Sequence, residues 1–159
     1  MEVTPTVTWT MIPAYAYLAV LSLSLAFIDI RSRRLPNALT LSGYPIMIAL
    51  LIIPAAVDDR WSSLARAIAG SLVTLGTFTA MALLASGSFG MGDAKLAGVL
   101  ALPLTWTSWS HTVLAMAGAF ILSAVVSVAL LISRRATRRS LIPFGPFLIA
   151  ATWIVTAFG

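Results

Sequence analysis

Residues 38–57 read ALTLSGYPIMIALLIIPAAV, twenty positions without a charged side chain. A helix needs about 20 mostly apolar residues to cross the hydrocarbon core of a bilayer. The stretch therefore predicts a transmembrane helix.

Five other apolar segments accompany this one along the chain. The six predicted helices cover residues 11–28, 38–57, 62–85, 94–109, 112–133 and 143–158. The fourth and sixth are short for a membrane span, and local thinning of the bilayer can accommodate them. Glycine, proline, asparagine and serine fill the connections, as is typical of turns. The sequence thus predicts an all-α polytopic membrane bundle of about six transmembrane helices.

The overall composition supports a membrane protein. Of the 159 residues, 60% are hydrophobic and 9% are charged, whereas roughly a quarter of a soluble domain is charged. The apolar residues are spread evenly, which predicts one membrane-embedded domain over residues 1–159. The N-terminus lacks a basic region, so we expect no cleaved signal peptide. The absence of cysteine excludes disulfides and thiolate catalysis.

Basic residues predict the orientation of the bundle. In a six-helix topology, eight of the ten fall on one side and only Arg60 and Arg66 on the other. The eight are Arg31, Arg33, Arg34, Lys95, Arg134, Arg135, Arg138 and Arg139. Because lysine and arginine are enriched in cytoplasmic loops, this side is predicted to face the cytoplasm, with both termini outside. Membrane topology and lipid contact explain these charges, so we predict no nucleic-acid partner.

Two acidic residues are candidates for function. Glu2, Asp58 and Asp59 are expected in solvated positions at the outer face, but Asp29 and Asp93 each border an apolar helix on the cytoplasmic side. A charged aspartate at a helix centre costs about 2.5–3.5 kcal/mol on insertion scales, and less near the ends. Acids within membrane segments are therefore candidates for a functional site.

Each acid also has a structural interpretation. Asp93 precedes the predicted fourth helix and could be its N-cap. Asp29 lies near the end of the first helix, where Arg31, Arg33 or Arg34 could neutralise it. The occurrence of both acids at the same membrane depth favours a functional pair.

A pair of carboxyl groups predicts acid–base chemistry. Two such groups in a partly dehydrated site share a proton, which is the chemistry of aspartic peptide hydrolysis. That chemistry needs no cofactor, and two carboxylates offer few of the roughly six oxygen ligands that magnesium or calcium wants, so we predict neither a cofactor nor a metal. The single histidine, His111, is predicted at the outer face. Gly90 and Gly92 leave room for an extended substrate backbone beside Asp93.

Three segments carry a resemblance to a known family. DIRSRRLPNALT (residues 29–40), GMGDAKLAG (90–98) and IPFGPFL (142–148) resemble the type IV prepilin peptidases, which are membrane aspartic proteases of the G-x-G-D class. The resemblance implies that Asp29 and Asp93 are the catalytic pair and that Gly90 and Gly92 are the signature glycines. It also implies a prepilin or pseudopilin leader segment as substrate, cleaved at the cytoplasmic face of the cytoplasmic membrane.

The same resemblance extends to neighbouring positions. It implies supporting or substrate-binding roles for Arg31, Pro36, Asn37, Lys95, Pro143, Gly145 and Pro146. Pro36 and Asn37 also predict a helix start with a polar cap, and Lys95 could equally be a snorkelling topology residue. The chain is similar to the short, protease-only form of tight-adherence (Flp) pilus systems, so no methyltransferase activity is expected.

Two other functions remain open at this point. A small proton-coupled transporter could use both aspartates as relays, and a catalytically silent pilus-assembly factor could share the motifs. The sequence assigns neither aspartate as base or acid, because a coupled pair titrates as a unit. It also makes no prediction of the oligomeric state.

Overall fold

The computed structural model describes residues 9–32, 36–84, 90–133 and 143–159. A short 3-10 turn (Trp9–Met11) precedes six helices, which are α1 (Ile12–Ser32), α2 (Asn37–Val57), α3 (Trp61–Leu84), α4 (Met91–Thr107), α5 (Trp109–Ile132) and α6 (Gly145–Phe158). No strand occurs within these ranges, so the predicted all-α bundle is confirmed. Arg33, Arg34 and the basic cluster at 134–139 lie outside the described residues.

Four helices have the length and composition needed to cross a membrane. They are Trp9–Arg31, Asn37–Val57, Trp61–Leu84 and Trp109–Ile132. Large apolar side chains point outward from them, as at Leu23, Leu72 and Ile121. A surface of this kind is unfavourable in water but is suited to lipid. The chain is therefore a multi-pass membrane protein.

Helix α4 lies at the centre of the bundle and contacts each of the other five helices. Every residue from Leu96 to Trp106 is buried, as expected for a helix that is apolar on all sides. The helix has only 17 residues. Its neighbours shield it from lipid, so its own length does not have to match the bilayer thickness.

Small and polar residues bring α3 and α4 together. A side chain at Gly70 would collide with Thr105, so the glycine permits the close approach of the two helices. Arg66 of α3 donates hydrogen bonds to the backbone carbonyls of Thr105, Trp106 and Thr107. These carbonyls end α4 without partners inside the helix, so Arg66 caps this helix from its neighbour.

The helices alternate in direction, so the bundle has two distinct ends. Thr10, before α1, donates to Asp58, after α2, at 2.7 Å. Arg66 likewise joins the start of α3 to the end of α4. We call this the distal end. The C-terminal end of α1 and the N-terminal ends of α2, α4 and α6 meet at the other end, which holds Asp29 and Asp93 and is called the aspartate end.

The connection between α4 and α5 differs from the prediction. The predicted helices ended at residue 109 and began at 112, whereas Ser108 alone separates the two observed helices. Ser108 Oγ accepts a hydrogen bond of 3.2 Å from the His111 backbone N–H and caps α5. Trp106, near the end of α4, is fully buried, and the Arg60 guanidinium lies over its ring.

Candidate active site

Asp29 lies in the last turns of α1 and is only 5% exposed. The backbone of Gly145, at the start of α6, gives its carboxyl group a hydrogen bond. The Oδ2 atom is buried and has no hydrogen-bond partner among the described residues. Leaving a buried acceptor unsatisfied costs roughly 1–3 kcal/mol. This oxygen is therefore suited to receive a proton or a hydrogen bond from water or substrate.

Asp29 leaves no room for a side chain at Gly145. A Cβ atom at this position would lie 2.7 Å from Asp29 Oδ2 and 3.3 Å from its Cγ. Pro146 follows in the first turn of α6, where its fixed φ is favourable. Pro143 lies just before the helix, which begins two residues later than predicted. The resemblance had placed all three near the site, and the structure brings Gly145 into contact with the carboxyl group.

Asp93 lies in the first turn of α4, which begins at Met91 and not at residue 94 as predicted. Gly90 takes the N-cap position with extended backbone, and the Asp93 N–H donates to the Gly90 carbonyl at 3.1 Å. The interpretation of Asp93 as the N-cap is therefore wrong. Glycine is among the residues favoured at an N-cap, so Gly90 suits its position, and Gly92 lies in the first turn of the helix.

Asp29 lies beside the first turns of α4. The position of a Cβ at Gly145 is 2.7 Å from Asp29 Oδ2 and 3.5 Å from Leu96 Cδ2, and Leu96 follows Asp93 by three residues. The two carboxyl groups are thus near enough for repulsion between their charges. The Gly90 backbone lies beside the Asp93 carboxyl group, and a Cβ at Gly90 would lie 3.1 Å from Asp93 Oδ2. Two like charges in a partly dehydrated site do not both ionise readily. We therefore expect the pair to hold one proton between them. Within the described ranges, no three His, Cys, Asp or Glu side chains form a group that could hold a metal.

Chemical cross-linking can test this proximity. The chain has no cysteine, so the double variant Asp29→Cys/Asp93→Cys contains only the two introduced thiols. We expect a short bifunctional thiol reagent to join α1 to α4, as read by mass spectrometry after proteolysis between them. The matched control is Asp29→Cys/Asp58→Cys, whose positions lie at opposite ends of the bundle. Failure of the first pair to link, or equal linking of the control, contradicts the observed site.

Lys95 points toward α2. Its Nζ donates a hydrogen bond of 2.8 Å to Asn37 Oδ1, linking the first turns of α4 and α2. The prediction that Asn37 is a polar cap is wrong, because α2 begins at Asn37 itself. Pro36 takes the N-cap position and makes no side-chain cap hydrogen bond. The Asn37 side chain is engaged by Lys95 and so serves the contact between two helices.

Arg31 does not neutralise Asp29. Its guanidinium lies over the ring of Phe27, 4.5 Å from the centroid, and its side chain is exposed. Within the described part of the chain, no ion pair involves Asp29. The predicted compensation of Asp29 by Arg31 is therefore not present, and the other two candidate arginines lie outside the described residues.

Tyr44 of α2 also reaches α4, and sequence reasoning missed it. Its hydroxyl donates a hydrogen bond of 2.8 Å to the Lys95 carbonyl. A tyrosine inside an apolar span carries a polar group that needs a partner, which is the one signal available in the sequence. The partner itself is 51 positions away and depends on helix packing.

Comparison with known proteins identifies the family. Residues 16–132 match the type IV leader peptidase family, so the chain belongs to that family. This membership confirms the family inferred from the three motifs. No solved structure matches the chain at a significant level.

Several curated proteins are similar to this chain over most of its length. It is 34% identical over 142 residues to the prepilin leader peptidase/N-methyltransferase of Pseudomonas putida, covering 86% of this chain and 46% of that protein. It is 30% identical over 162 aligned positions to proteins of the same name from Aeromonas salmonicida (strain A449) and Aeromonas hydrophila, covering 96% of this chain and 53% of each relative. The chain thus spans about half the length of these relatives.

Proposed function

We propose that this chain is a membrane aspartic endopeptidase that removes the leader peptide of type IV prepilin-like substrates. Asp29 and Asp93 are its proposed catalytic pair. The observation that carries the proposal is the placement of two carboxyl groups, on α1 and α4, at the same end of a membrane bundle, where Asp29 lies beside the helix turn that follows Asp93. Membership of the type IV leader peptidase family supports the reaction. The printed names of the relatives support the substrate class.

The proposed reaction uses water as the nucleophile. The ionised carboxylate takes a proton from water while the oxygen of that water adds to the carbonyl carbon of the peptide bond. The protonated carboxyl group gives its proton to the carbonyl oxygen, so no full negative charge develops there. When the C–N bond breaks, the carboxyl group that took the water proton gives it to the leaving nitrogen. The other carboxylate takes back a proton from a hydroxyl group of the tetrahedral intermediate, so the pair again holds one proton. Both aspartates are therefore required.

The surroundings of the pair suit an extended peptide. Gly90 is exposed and Gly92 is half-buried, and neither presents a side chain beside Asp93. A substrate backbone could therefore approach this carboxyl group closely. Both acids lie near helix ends, at the aspartate end of the bundle.

We propose that the aspartate end faces the cytoplasm. Eight of the ten basic residues belong to the predicted cytoplasmic side, which follows the usual bias of short membrane loops. Arg31 and Lys95 lie at the aspartate end, whereas Arg60 and Arg66 lie near the start of α3, at the distal end. This distribution supports leader cleavage at the cytoplasmic face of the cytoplasmic membrane.

The position of the pair favours a peptidase over a proton-coupled transporter. Transporter sites tend to lie near the bilayer midplane on broken helices, whereas Asp29 and Asp93 lie at the ends of unbroken ones. A catalytically silent assembly factor would share this fold and family. Only a test of hydrolysis distinguishes it from a peptidase.

The test is cleavage by the purified chain reconstituted in liposomes. Flp-type and longer type IV prepilins serve as separate substrates in the presence of a metal chelator. We expect a shortened product whose mass identifies one broken peptide bond, and we propose that the Flp-type substrate is cut faster. If folded protein cuts neither prepilin, the proposed function is wrong. If only the longer prepilin is cut, the Flp-type preference is wrong.

A further inference from the structure

Helix α2 makes two polar contacts with the start of α4, and both end on Lys95. Tyr44 Oη donates to the Lys95 carbonyl at 2.8 Å. Lys95 Nζ donates to Asn37 Oδ1, also at 2.8 Å. Because Lys95 follows Asp93 by two positions in the same helix, these contacts act on the turn that carries one of the two carboxyl groups.

Gly98 makes space for the Tyr44 hydroxyl. A Cβ at Gly98 would collide with Tyr44 Oη and would lie 3.2 Å from its Cζ. Glycine is unfavourable inside a helix compared with alanine, so the contact with Tyr44 accounts for its presence here. Ser71 Oγ of α3 donates to the Gly98 carbonyl at 2.7 Å. The part of α4 just after Asp93 is thus held from both sides, by α2 and by α3.

The two aspartates are held by different neighbours. Asp29 is on α1 and contacts Gly145 of α6. Asp93 is on α4, whose contacts with α1 are sparse compared with those to α2 and α3. The distance between the two carboxyl groups therefore depends on how α4 packs against α2 and α3.

We propose that Tyr44 is a positioning residue that holds Asp93 opposite Asp29. Its hydroxyl fixes the rotation and depth of the first turns of α4 through the Lys95 carbonyl. The catalytic consequence rests on the proposed function. A misplacement of about 1 Å at a catalytic group can lower a rate by roughly 10²-fold. Tyr44 is one of three polar contacts on these turns, so we expect its loss to lower kcat by roughly tenfold.

The test compares Tyr44→Phe with Tyr15→Phe. Both variants lose only a hydroxyl, and Tyr15 also lies beside α4, near Thr107 at the distal end. For Tyr44→Phe we expect kcat to fall about tenfold while KM changes less than about twofold. We expect Tyr15→Phe to keep the wild-type kcat. Both variants should accumulate equally in the membrane, since each loses a single hydroxyl group.

A second readout does not depend on activity. Tyr44→Phe should lower the yield of the Asp29→Cys/Asp93→Cys cross-link, and Tyr15→Phe should not. If wild type cleaves prepilin but Tyr44→Phe changes neither kcat nor cross-linking, or if Tyr15→Phe lowers kcat equally, the positioning role is wrong. If wild type does not cleave but Tyr44→Phe alone lowers cross-linking, the positioning role stands and the proposed peptidase function fails.

Discussion

Replacing either Asp29 or Asp93 with asparagine should lower the rate of leader cleavage by roughly 10³-fold or more, which is the scale of lost general acid–base catalysis. Asparagine nearly preserves the shape of aspartate but cannot take the proton of the attacking water or exchange one with the substrate. Asp29 is almost fully buried, and the amide oxygen of asparagine can still accept the hydrogen bond from Gly145. The loss should therefore reflect chemistry and not misfolding.

The double variant gives a sharper form of this prediction. Residues that act as one unit are strongly non-additive, so the second substitution should remove little beyond the first. Cleavage is measured in cells that co-express a prepilin, at matched accumulation of each variant in the membrane. The matched control is Asp58→Asn, which alters a carboxyl group that accepts from Thr10 at the distal end and should leave the rate unchanged. A rate lost equally in this control would contradict a specific role for the pair.

Replacing Gly145 with alanine should lower the cleavage rate by roughly 10²-fold, which is the scale of a misplaced catalytic group. The new methyl group would lie 2.7 Å from Asp29 Oδ2 and 3.3 Å from its Cγ. The carboxyl group would have to move, or α6 would have to shift away from it. Alanine has a higher helix propensity than glycine, so helix propensity alone predicts that Gly145→Ala stabilises α6.

Gly118→Ala is the matched control for this variant. A Cβ at Gly118 of α5 meets only Ala151 of α6, at an ordinary contact distance of 3.6 Å. We expect this variant to cleave prepilin at the wild-type rate in the same assay. Wild-type cleavage by Gly145→Ala would show that contact between α6 and Asp29 does not set the geometry of the site.

The long apolar segments allowed most of the fold to be predicted. The predicted second helix, 38–57, starts one residue away from the observed α2 and ends at the same residue, because it has no charge and polar residues bound it. The α4–α5 connection was harder, because serine, threonine and tryptophan at 105–109 are typical of an interfacial loop. In the bundle, Thr105 and Thr112 hydrogen-bond each other at 2.6 Å, so these polar groups are satisfied inside continuous helices.

The site was predictable where chemistry depends on residue type. Asp29 and Asp93 stood out as candidates because acids are costly within apolar segments, and the structure places both at the same end of the bundle. The contacts that hold them were not predictable. Tyr44 meets the Lys95 carbonyl, and Asn37 meets the Lys95 side chain, across more than fifty positions of sequence. Such partners depend on how the helices pack against each other, and the hydrophobic pattern of the sequence does not specify that packing.

The most direct test of the central claim is cleavage of one purified prepilin by the purified chain in liposomes. Wild type, Asp29→Asn and Asp93→Asn are compared at equal protein, and mass spectrometry identifies the new N-terminus. The account predicts that wild type breaks one leader bond and that each variant leaves the substrate intact over the same time. Cleavage at the wild-type rate by either variant would show that its aspartate is a structural residue and that the proposed pair does not carry the reaction.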